Sequence, residues 1–430
     1  MRLQTTAAVA ATTALGAVAA AAAAGRYAAN AALRPARTRR GRPPVPAGFA
    51  GPPLTVHSFT HWSPGTAEEA GGDAPEGNPG PGHAGDAGRA GDPGHIALTR
   101  SFTAQLPGTY GLSGRGCHAV VGPVLDEPPE DTAADTAVRR LDRITYGDLK
   151  PGTRVRLTPL VHVGDPHEAL GIDHVEVDIP GESGALPGWF VPGHRDTWVI
   201  TVHGLGATLD QALNVLPFLH GQQLPVLALS YRGDLGAPSP SNGVGHLGDS
   251  EWRDVDAALR YAVRYGADRI VLYGWSTGAY MALRAAANSA LRQHVSGLVL
   301  DSPVLDRRAT LRALAVARGT PRALLPLAVR AAEGRVGLRS ERQPGEQPGE
   351  LPPYHGQETH TGPERPAVPT LLFHGPDDTI APWAYSRELA SRHPHLVSAH
   401  TVPHARHAAM WNADPAAYEE ALRRFLTSVM

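Results

Sequence analysis

Hydrophobic positions divide the chain into an irregular first part and a second part in which strand and helix patterns alternate. Residues 169–430 contain short buried-type runs such as 198–202, 225–229 and 370–373. Between such runs, apolar residues recur with helical spacing, as at Trp252, Val255 and Leu259. Strands that alternate with helices predict an α/β fold with a doubly wound, mostly parallel sheet.

A different pattern precedes this region. Residues 95–168 contain short β-like runs at 96–99, 119–124 and 154–161, separated by Gly and Pro. This spacing predicts a small β-rich accessory domain, and it contains no recognisable catalytic residues.

Residues 26–94 lack periodicity and are rich in Pro, Gly and Arg. They offer few apolar residues to bury, which predicts a largely disordered linker.

The first residues predict a membrane location. Residues 5–25 carry no charge and are mostly alanine, and this length can span a bilayer as a helix. We therefore expect residues 1–25 to be a transmembrane anchor that makes the membrane a partner. The arginines that follow the segment, against Arg2 alone before it, favour a cytoplasmic catalytic domain. A cleaved signal peptide, which would give a secreted protein, and an alanine-rich soluble helix are the alternatives.

Composition narrows the class of protein. Hydrophobic residues make up 42% and charged residues 19% of the 430 residues, as in a globular enzyme. The formal net charge of −2 provides no basic field, so no nucleic-acid partner is expected. Cys117 is the single cysteine, which excludes an internal disulfide.

Residues 269–286 form a strand-like run, the pentapeptide G-W-S-T-G and a helix-forming run. A G-x-S-x-G sequence between a strand and a helix is typical of a nucleophile elbow, in which the turn holds the serine out at the end of the sheet. Ser276 is therefore the candidate nucleophile, and the helix after it offers unpaired N–H groups to an oxyanion. An ordinary Gly/Ser turn is the alternative.

Four motifs together resemble the α/β-hydrolase superfamily, in particular its serine esterase and aminopeptidase-like members, over roughly residues 170–430. They are V-H-G-L-G at 202–206, G-W-S-T-G at 274–278, H-G-P-D-D-T-I-A-P at 374–382 and H-A-A-M-W at 407–411. In this superfamily the order along the chain is serine, acid and histidine. The resemblance implies Asp378 as the acid, with Asp301 and Asp377 as alternatives. It also implies His407 as the base, with His404 as a neighbouring structural residue.

The resemblance also implies an oxyanion hole and a cover. The backbone N–H groups of Thr277 and Leu205 are the expected donors. Gly204 and Tyr231 are expected to lie beside the substrate. Residues 304–366 stand where relatives insert a cap, although a plain surface excursion is the alternative.

We therefore expect a serine hydrolase that uses Ser276, Asp378 and His407 to cleave a carboxylic ester. No cofactor and no metal are expected, since His404 and His407 lack a third ligand nearby in the sequence. A peptidase or amidase with the same residues and a peptide-like substrate, or a membrane-tethered pseudohydrolase that only binds, are the alternatives.

Overall fold

The protein is described by a computed structural model that covers residues 45–60, 94–129, 132–240, 243, 245–317, 319–336 and 365–430. Within these ranges the chain forms an N-terminal β-barrel, followed by a larger α/β part built on one sheet.

The barrel has six strands. They are Leu54–Phe59 (β1), Gly94–Thr99 (β2), Tyr110–Gly114 (β3), Cys117–Val124 (β4), Thr136–Tyr146 (β5) and Arg154–Thr158 (β6). All neighbours are antiparallel, and the sheet closes in the order β1-β2-β5-β4-β3-β6. Val56, Leu98 and Leu112 fill the interior and are fully buried. The β-rich region predicted from the sequence is thus a closed barrel, which leaves no unpaired sheet edge.

The barrel begins earlier in the chain than the sequence suggests. Strand β1 lies inside residues 26–94, which the sequence assigns to a linker. Its buried Leu54 and Val56 alternate with less buried residues, as in a strand with one face on a core. Pro- and Gly-rich neighbours obscure this short signal. Residues 61–93 lie outside the described part of the chain.

The α/β part is built on eight strands. They are Val175–Gly181 (β7), Gly184–Val191 (β8), Thr197–Val202 (β9), Val226–Leu229 (β10), Arg269–Trp275 (β11), Val295–Asp301 (β12), Thr370–His374 (β13) and Val397–Thr401 (β14). Their order is β14-β13-β12-β11-β9-β10-β8-β7. Strands β9 to β14 pair in parallel, whereas β7 and β8 form an antiparallel pair at one edge. The predicted mostly parallel sheet is confirmed.

Helices lie on both faces of this sheet. The α-helices are Pro166–Leu170 (α1), Leu216–Gly221 (α2), Trp252–Arg264 (α3), Thr277–Asn288 (α4), Arg307–Ala317 (α5), Leu325–Arg335 (α6), Trp383–Arg392 (α7), Met410–Ala413 (α8) and Pro415–Val429 (α9). Short 3₁₀ helices occur at Thr103–Gln105, Leu209–Asn214, Arg292–His294 and Arg322–Leu324.

Alternate residues of the central strands serve the two helical layers. In β11, Ile270 and Leu272 belong to the core beneath α3 and α4. Val271 and Tyr273 belong to the opposite core, beneath α2 and α9. This period of two explains why the central strands read as continuous apolar runs, because both of their faces are buried.

The membrane prediction is corrected here. Within the described ranges, no helix is both long and apolar enough to cross a bilayer. The longest of these helices, α9, has 15 residues, whereas a span needs about 20. The predicted anchor, residues 1–25, itself lies outside the described residues. Its alanines are only weakly apolar, so a lack of charge was insufficient grounds for a transmembrane helix. The predicted membrane partner and the predicted anchored, cytoplasmic location therefore find no support among the described helices.

The barrel packs directly against the α/β part. Asn412 donates from Nδ2 to the carbonyl oxygens of Thr109 (2.8 Å) and Pro159 (2.9 Å), and Asn214 donates to the same Pro159 oxygen at 2.8 Å. Ala409, from the segment before α8, is part of the barrel's own core. The barrel therefore contacts the segment that carries His407.

Candidate active site

Ser276 lies in the turn between β11 and α4. Its φ of 55° and ψ of −116° are strained for a residue with a side chain. A Cβ on Gly274 would lie 2.4 Å from the Gly278 oxygen, and a Cβ on Gly278 would lie 2.1 Å from the Val202 oxygen. Both positions thus need glycine, and the tight turn that they permit presents the Ser276 hydroxyl at the carboxyl end of the sheet.

His407 bridges Ser276 and Asp378. Its Nε2 lies 2.7 Å from Ser276 Oγ, and its Nδ1 lies 2.7 Å from Asp378 Oδ2. Ser276 is 3% exposed and His407 1% exposed, so water screens these contacts little. The carboxylate favours the tautomer with the proton on Nδ1, which leaves Nε2 to accept the serine proton.

Asp378 is held as a carboxylate by several donors. Its Oδ1 accepts from the backbone N–H groups of Ile380 (2.8 Å) and Ala381 (2.9 Å). Its Oδ2 accepts from His374 Nε2 at 3.0 Å as well as from His407. Burial alone would raise the pKa of Asp378, but the charge of His407 and the hydrogen bonds from both histidines lower it below its usual range.

The two alternative acids lie elsewhere. Asp377 Oδ2 accepts from the backbone N–H of His404 at 2.8 Å, and both side chains are well exposed. Asp301, at the end of β12, is fully buried, and its carboxyl oxygens contact Ser302 Oγ (2.8 Å) and Tyr418 OH (3.3 Å). Burial raises the pKa of Asp301 to about 7 despite these hydrogen bonds. Neither carboxyl group is bonded to His407.

Two residues that support Asp378 and the His407 segment are not predicted from the sequence. His374 Nδ1 shares a hydrogen bond with Ser386 Oγ (2.7 Å), and His374 Nε2 faces Asp378. Ser302 Oγ donates to Asp301 and accepts from the backbone N–H of Ala408 at 2.9 Å, directly after His407. His374 opens the H-G-P-D-D motif and was thus visible, but its contact with Asp378 depends on the loop conformation.

The loop after β9 faces the nucleophile. A Cβ on Gly204 would lie 2.8 Å from Ser276 Cβ, so glycine is needed there. The Gly204 N–H donates to Gln211 Oε1 at 2.9 Å, which fixes the loop. Leu205 follows it, and Thr277 begins α4 on the other side of Ser276. The first N–H groups of a helix have no partner within the helix, which suits Thr277 to the predicted donor role.

Tyr231, predicted to touch substrate, is 8% exposed and stacks on His203 with ring centroids 4.4 Å apart. Burial, with the nearby Asp234 carboxylate, raises the pKa of its phenol well above the ordinary value. His203 Nε2 lies 2.8 Å from Asp234 Oδ2, so this stack buttresses the loop that carries Gly204. Across the described ranges, no three His, Cys, Asp or Glu side chains are grouped so that they could hold a metal ion.

Family models match two segments of the chain. A model described as "Alpha/beta hydrolase family" matches residues 199–421, which is more than half of the 430 residues. A second model, described as a "Domain of unknown function (DUF8805)", matches residues 87–158, which include most of the barrel. The comparison with curated proteins found no match.

Several solved structures are similar at low identity. An esterase from Pyrococcus furiosus is 21% identical, covers 62% of this chain and 94% of its own, and gives a TM-score of 0.46. A serine hydrolase without lid from Xanthomonas campestris is 18% identical, over 60% and 94% of the two chains, with a TM-score of 0.40. An esterase from Thermogutta terrifontis is 17% identical, over 60% and 99%, with a TM-score of 0.41. The reaction must therefore be inferred from the geometry of the site.

Proposed function

Because the chain belongs to the alpha/beta hydrolase family, we propose that it is a serine hydrolase that cleaves a carboxylic ester through an acyl-enzyme. One observation carries the proposal. His407 lies 2.7 Å from both Ser276 Oγ and Asp378 Oδ2. A serine hydroxyl needs a base within hydrogen-bond reach, and the base needs an acid that orients it.

In the first half-reaction, Ser276 Oγ attacks the ester carbonyl carbon while His407 Nε2 takes the hydroxyl proton. The carbonyl π bond opens to an oxyanion, which the N–H groups of Thr277 and Leu205 would stabilise. The oxyanion then collapses, the bond to the leaving alcohol oxygen breaks, and His407 returns the proton to that oxygen. Asp378 stays ionised throughout, because its surroundings lower its pKa.

In the second half-reaction, His407 takes a proton from water as the water oxygen attacks the acyl carbon. The new oxyanion collapses, the bond to Ser276 Oγ breaks, and the proton passes back to the serine. The carboxylic acid leaves and the enzyme is restored. No cofactor enters either step.

The proposal is tested with a fluorophosphonate, which needs only an activated serine. Ser276 Oγ would form a bond to phosphorus while fluoride leaves, and the hydroxyl proton would pass to His407. We expect mass spectrometry to locate one adduct at Ser276, and we expect the adduct to be lost in Ser276→Ala and His407→Ala. Ser391→Ala changes a serine on α7 whose hydroxyl donates to the Glu388 carbonyl, and serves as the matched control. No labelling of the folded wild type, or labelling retained in Ser276→Ala, would refute the proposed nucleophile.

Labelling does not separate esterase from amidase activity. We expect p-nitrophenyl esters to be hydrolysed faster than the matching p-nitroanilides by the same preparation. The reverse order would assign the chain to the peptidase or amidase alternative while leaving the roles of Ser276 and His407 intact.

A further inference from the structure

Residues 45–49, which we call the strap, lie against the loop after β9 and against His407 before the chain enters the barrel. The strap ends in a turn in which the Phe49 N–H donates to the Pro46 carbonyl oxygen at 3.2 Å. Phe49 is 4% exposed and belongs to the barrel core, whereas Pro46 is buried outside it. The barrel therefore fixes one end of the strap.

The first part of the strap rests on the loop that follows β9. A Cβ on Gly206 would lie 3.2 Å from the Val45 carbonyl oxygen and 3.7 Å from the Ala47 nitrogen. Gly206 has a φ of 83°, which also favours glycine. This is the loop whose Leu205 N–H is a proposed oxyanion donor.

The last part of the strap rests on the proposed base. A Cβ on Gly48 would lie 3.0 Å from His407 Cβ and 3.6 Å from the His407 nitrogen. Arg406, the preceding residue, donates from Nη1 to the Gly48 carbonyl oxygen at 2.9 Å. Arg406 also donates to Thr103 Oγ1 of the barrel at 3.1 Å. The hydrogen bonds of Arg406 thus link the His407 segment to both the strap and the barrel.

Ala47 lies between these two contacts. One residue against which the strap rests, His407, contacts Ser276 Oγ through Nε2. The other, Gly206, lies two residues after Gly204, which closely approaches Ser276 Cβ. A substrate carbonyl must reach Ser276 between them. Ala47 packs on an apolar cluster that includes Leu205, Leu311 of α5 and Ile380 from the Asp378 loop. The strap therefore lies beside both the loop that carries Leu205 and the segment that carries His407.

We propose that Ala47 is a specificity-determining residue that forms one wall of the substrate site and limits the size of the group bound beside Ser276. The inference rests on the proposed function. It adds that the N-terminal part of the chain, rather than the hydrolase sheet alone, sets which apolar groups are accepted. The strap packs on Gly206, accepts a hydrogen bond from Arg406 and ends at Phe49 in the barrel core. It therefore acts as a fixed wall.

The test uses the full chain and alkyl fluorophosphonates whose chain on phosphorus lengthens from methyl to decyl. Ala47→Leu should slow labelling by the decyl probe relative to the methyl probe by about tenfold or more, as expected for added bulk in an apolar site. Ala47→Gly should change the same ratio in the opposite direction. Val45→Leu is the matched control, since Val45 is 43% exposed. Circular dichroism and thermal unfolding verify that each variant is folded.

An unchanged decyl-to-methyl ratio in both Ala47 variants would overturn the inference while leaving the proposed function standing. So would an equal loss with every probe, or the same shift in Val45→Leu. If the folded wild type reacts with no probe, the proposed function fails and the inference fails with it. Opposite shifts in Ala47→Leu and Ala47→Gly, with Val45→Leu like the wild type, are the supporting result.

Discussion

At the scale of single residues, three carboxyl groups close in sequence or space occupy different environments. Asp378 is surrounded by donors, which lower its pKa, whereas burial raises the pKa of Asp301 to about 7. Asp377 lies at the surface beside His404. Only an ionised acid that touches the base stabilises the imidazolium formed during the reaction, so the environment separates residues that sequence alone leaves as alternatives.

The first prediction follows from this difference. Asp378→Asn should lower kcat by at least about a hundredfold, because the amide cannot hold His407 in the required tautomer and charge state. Asp301→Asn should change kcat by less than about threefold, since Asp301 reaches the His407 segment only indirectly, through Ser302 and the backbone of Ala408. Steady-state kinetics on an ester identified by screening provide the measurement. If Asp301→Asn proves the more damaging, the acid has been misassigned.

A second prediction concerns pH and stability. Asp301 in the folded chain keeps a proton up to about pH 7, whereas its ordinary pKa is 3.8. Between these values the folded state binds more protons than the unfolded state, so the free energy of unfolding falls as pH rises. The contribution lost by pH 8 is on the order of 4 kcal/mol. Asp301→Asn should therefore flatten the decline in Tm between pH 5 and pH 8.

Asp148→Asn is the control for this measurement. The Asp148 side chain is 84% exposed, so this substitution should leave the slope of Tm against pH as it is in the wild type. Asp378 does not interfere, because its lowered pKa affects stability only below about pH 4, and in the opposite direction. A slope that is identical in Asp301→Asn and the wild type would contradict the raised pKa.

Ser276, Asp378 and His407 can be proposed from sequence because each follows a recognisable strand at the same sheet edge. His374 and Ser302 cannot, because their partners are set by loops that turn back on themselves. Ser302 and Ala408 adopt φ values of 51° and 53°, which no local preference of serine or alanine would suggest. Sequence motifs thus point to the proposed reacting groups more readily than to the residues that hold them.

At the scale of secondary structure, the segment from His404 to α8 is held by barrel residues as well as by the loops that follow the sheet strands. Asn412 is 1% exposed and donates to two barrel carbonyl oxygens. A Cβ on Gly108 would lie 2.0 Å from the Asn412 oxygen, so the barrel surface follows this segment closely. We infer that the barrel helps to fix the position of His407.

A third prediction tests this contact. Asn412→Ala leaves the Thr109 and Pro159 oxygens without this donor, which should lower the free energy of unfolding by about 1–3 kcal/mol. It should also slow labelling of Ser276, because the His407 segment loosens. Urea denaturation and labelling rates measure the two effects. Asn288→Ala, at the exposed end of α4, should alter neither. Loss of stability with an unchanged labelling rate would show that the barrel does not position His407.

Strand and helix periods also explain which elements sequence reveals. The central strands β9 to β13 are apolar on both faces, so their sequences predict strands directly. Strand β1 is short, half-buried and flanked by proline, so its alternation was hidden in an irregular segment. Residues 5–25 are uncharged and long enough to span a bilayer, but alanine is only weakly apolar, so length and lack of charge alone are a weak basis for predicting a membrane helix.

At the scale of the whole molecule, barrel and sheet share buried contacts instead of a flexible joint. Ala409 lies in the barrel core, and the Pro159 oxygen accepts from both Asn214 and Asn412. Such long-range pairs could not be predicted from sequence, because nothing local to Asn214 or Asn412 identifies a partner in the barrel. The arrangement implies that the two parts stabilise each other.

The fourth prediction is that the two parts unfold together. Leu112→Ala in the barrel and Leu272→Ala in the sheet each remove a fully buried side chain, at a cost of about 2–5 kcal/mol. Each variant should lower the temperature of one shared calorimetric transition. Two transitions, of which each variant moves only its own, would show that the parts are energetically independent.

The strap has a consequence for how such a chain can be recombined. Its Gly48 lies on His407, while Phe49, the next residue, is buried in the barrel. A division between barrel and sheet would therefore run through the proposed substrate site. A chimera that takes residues 45–165 from one parent and the rest from another would inherit its chemistry from the second parent. Its preference for large or small substrates would come from the first.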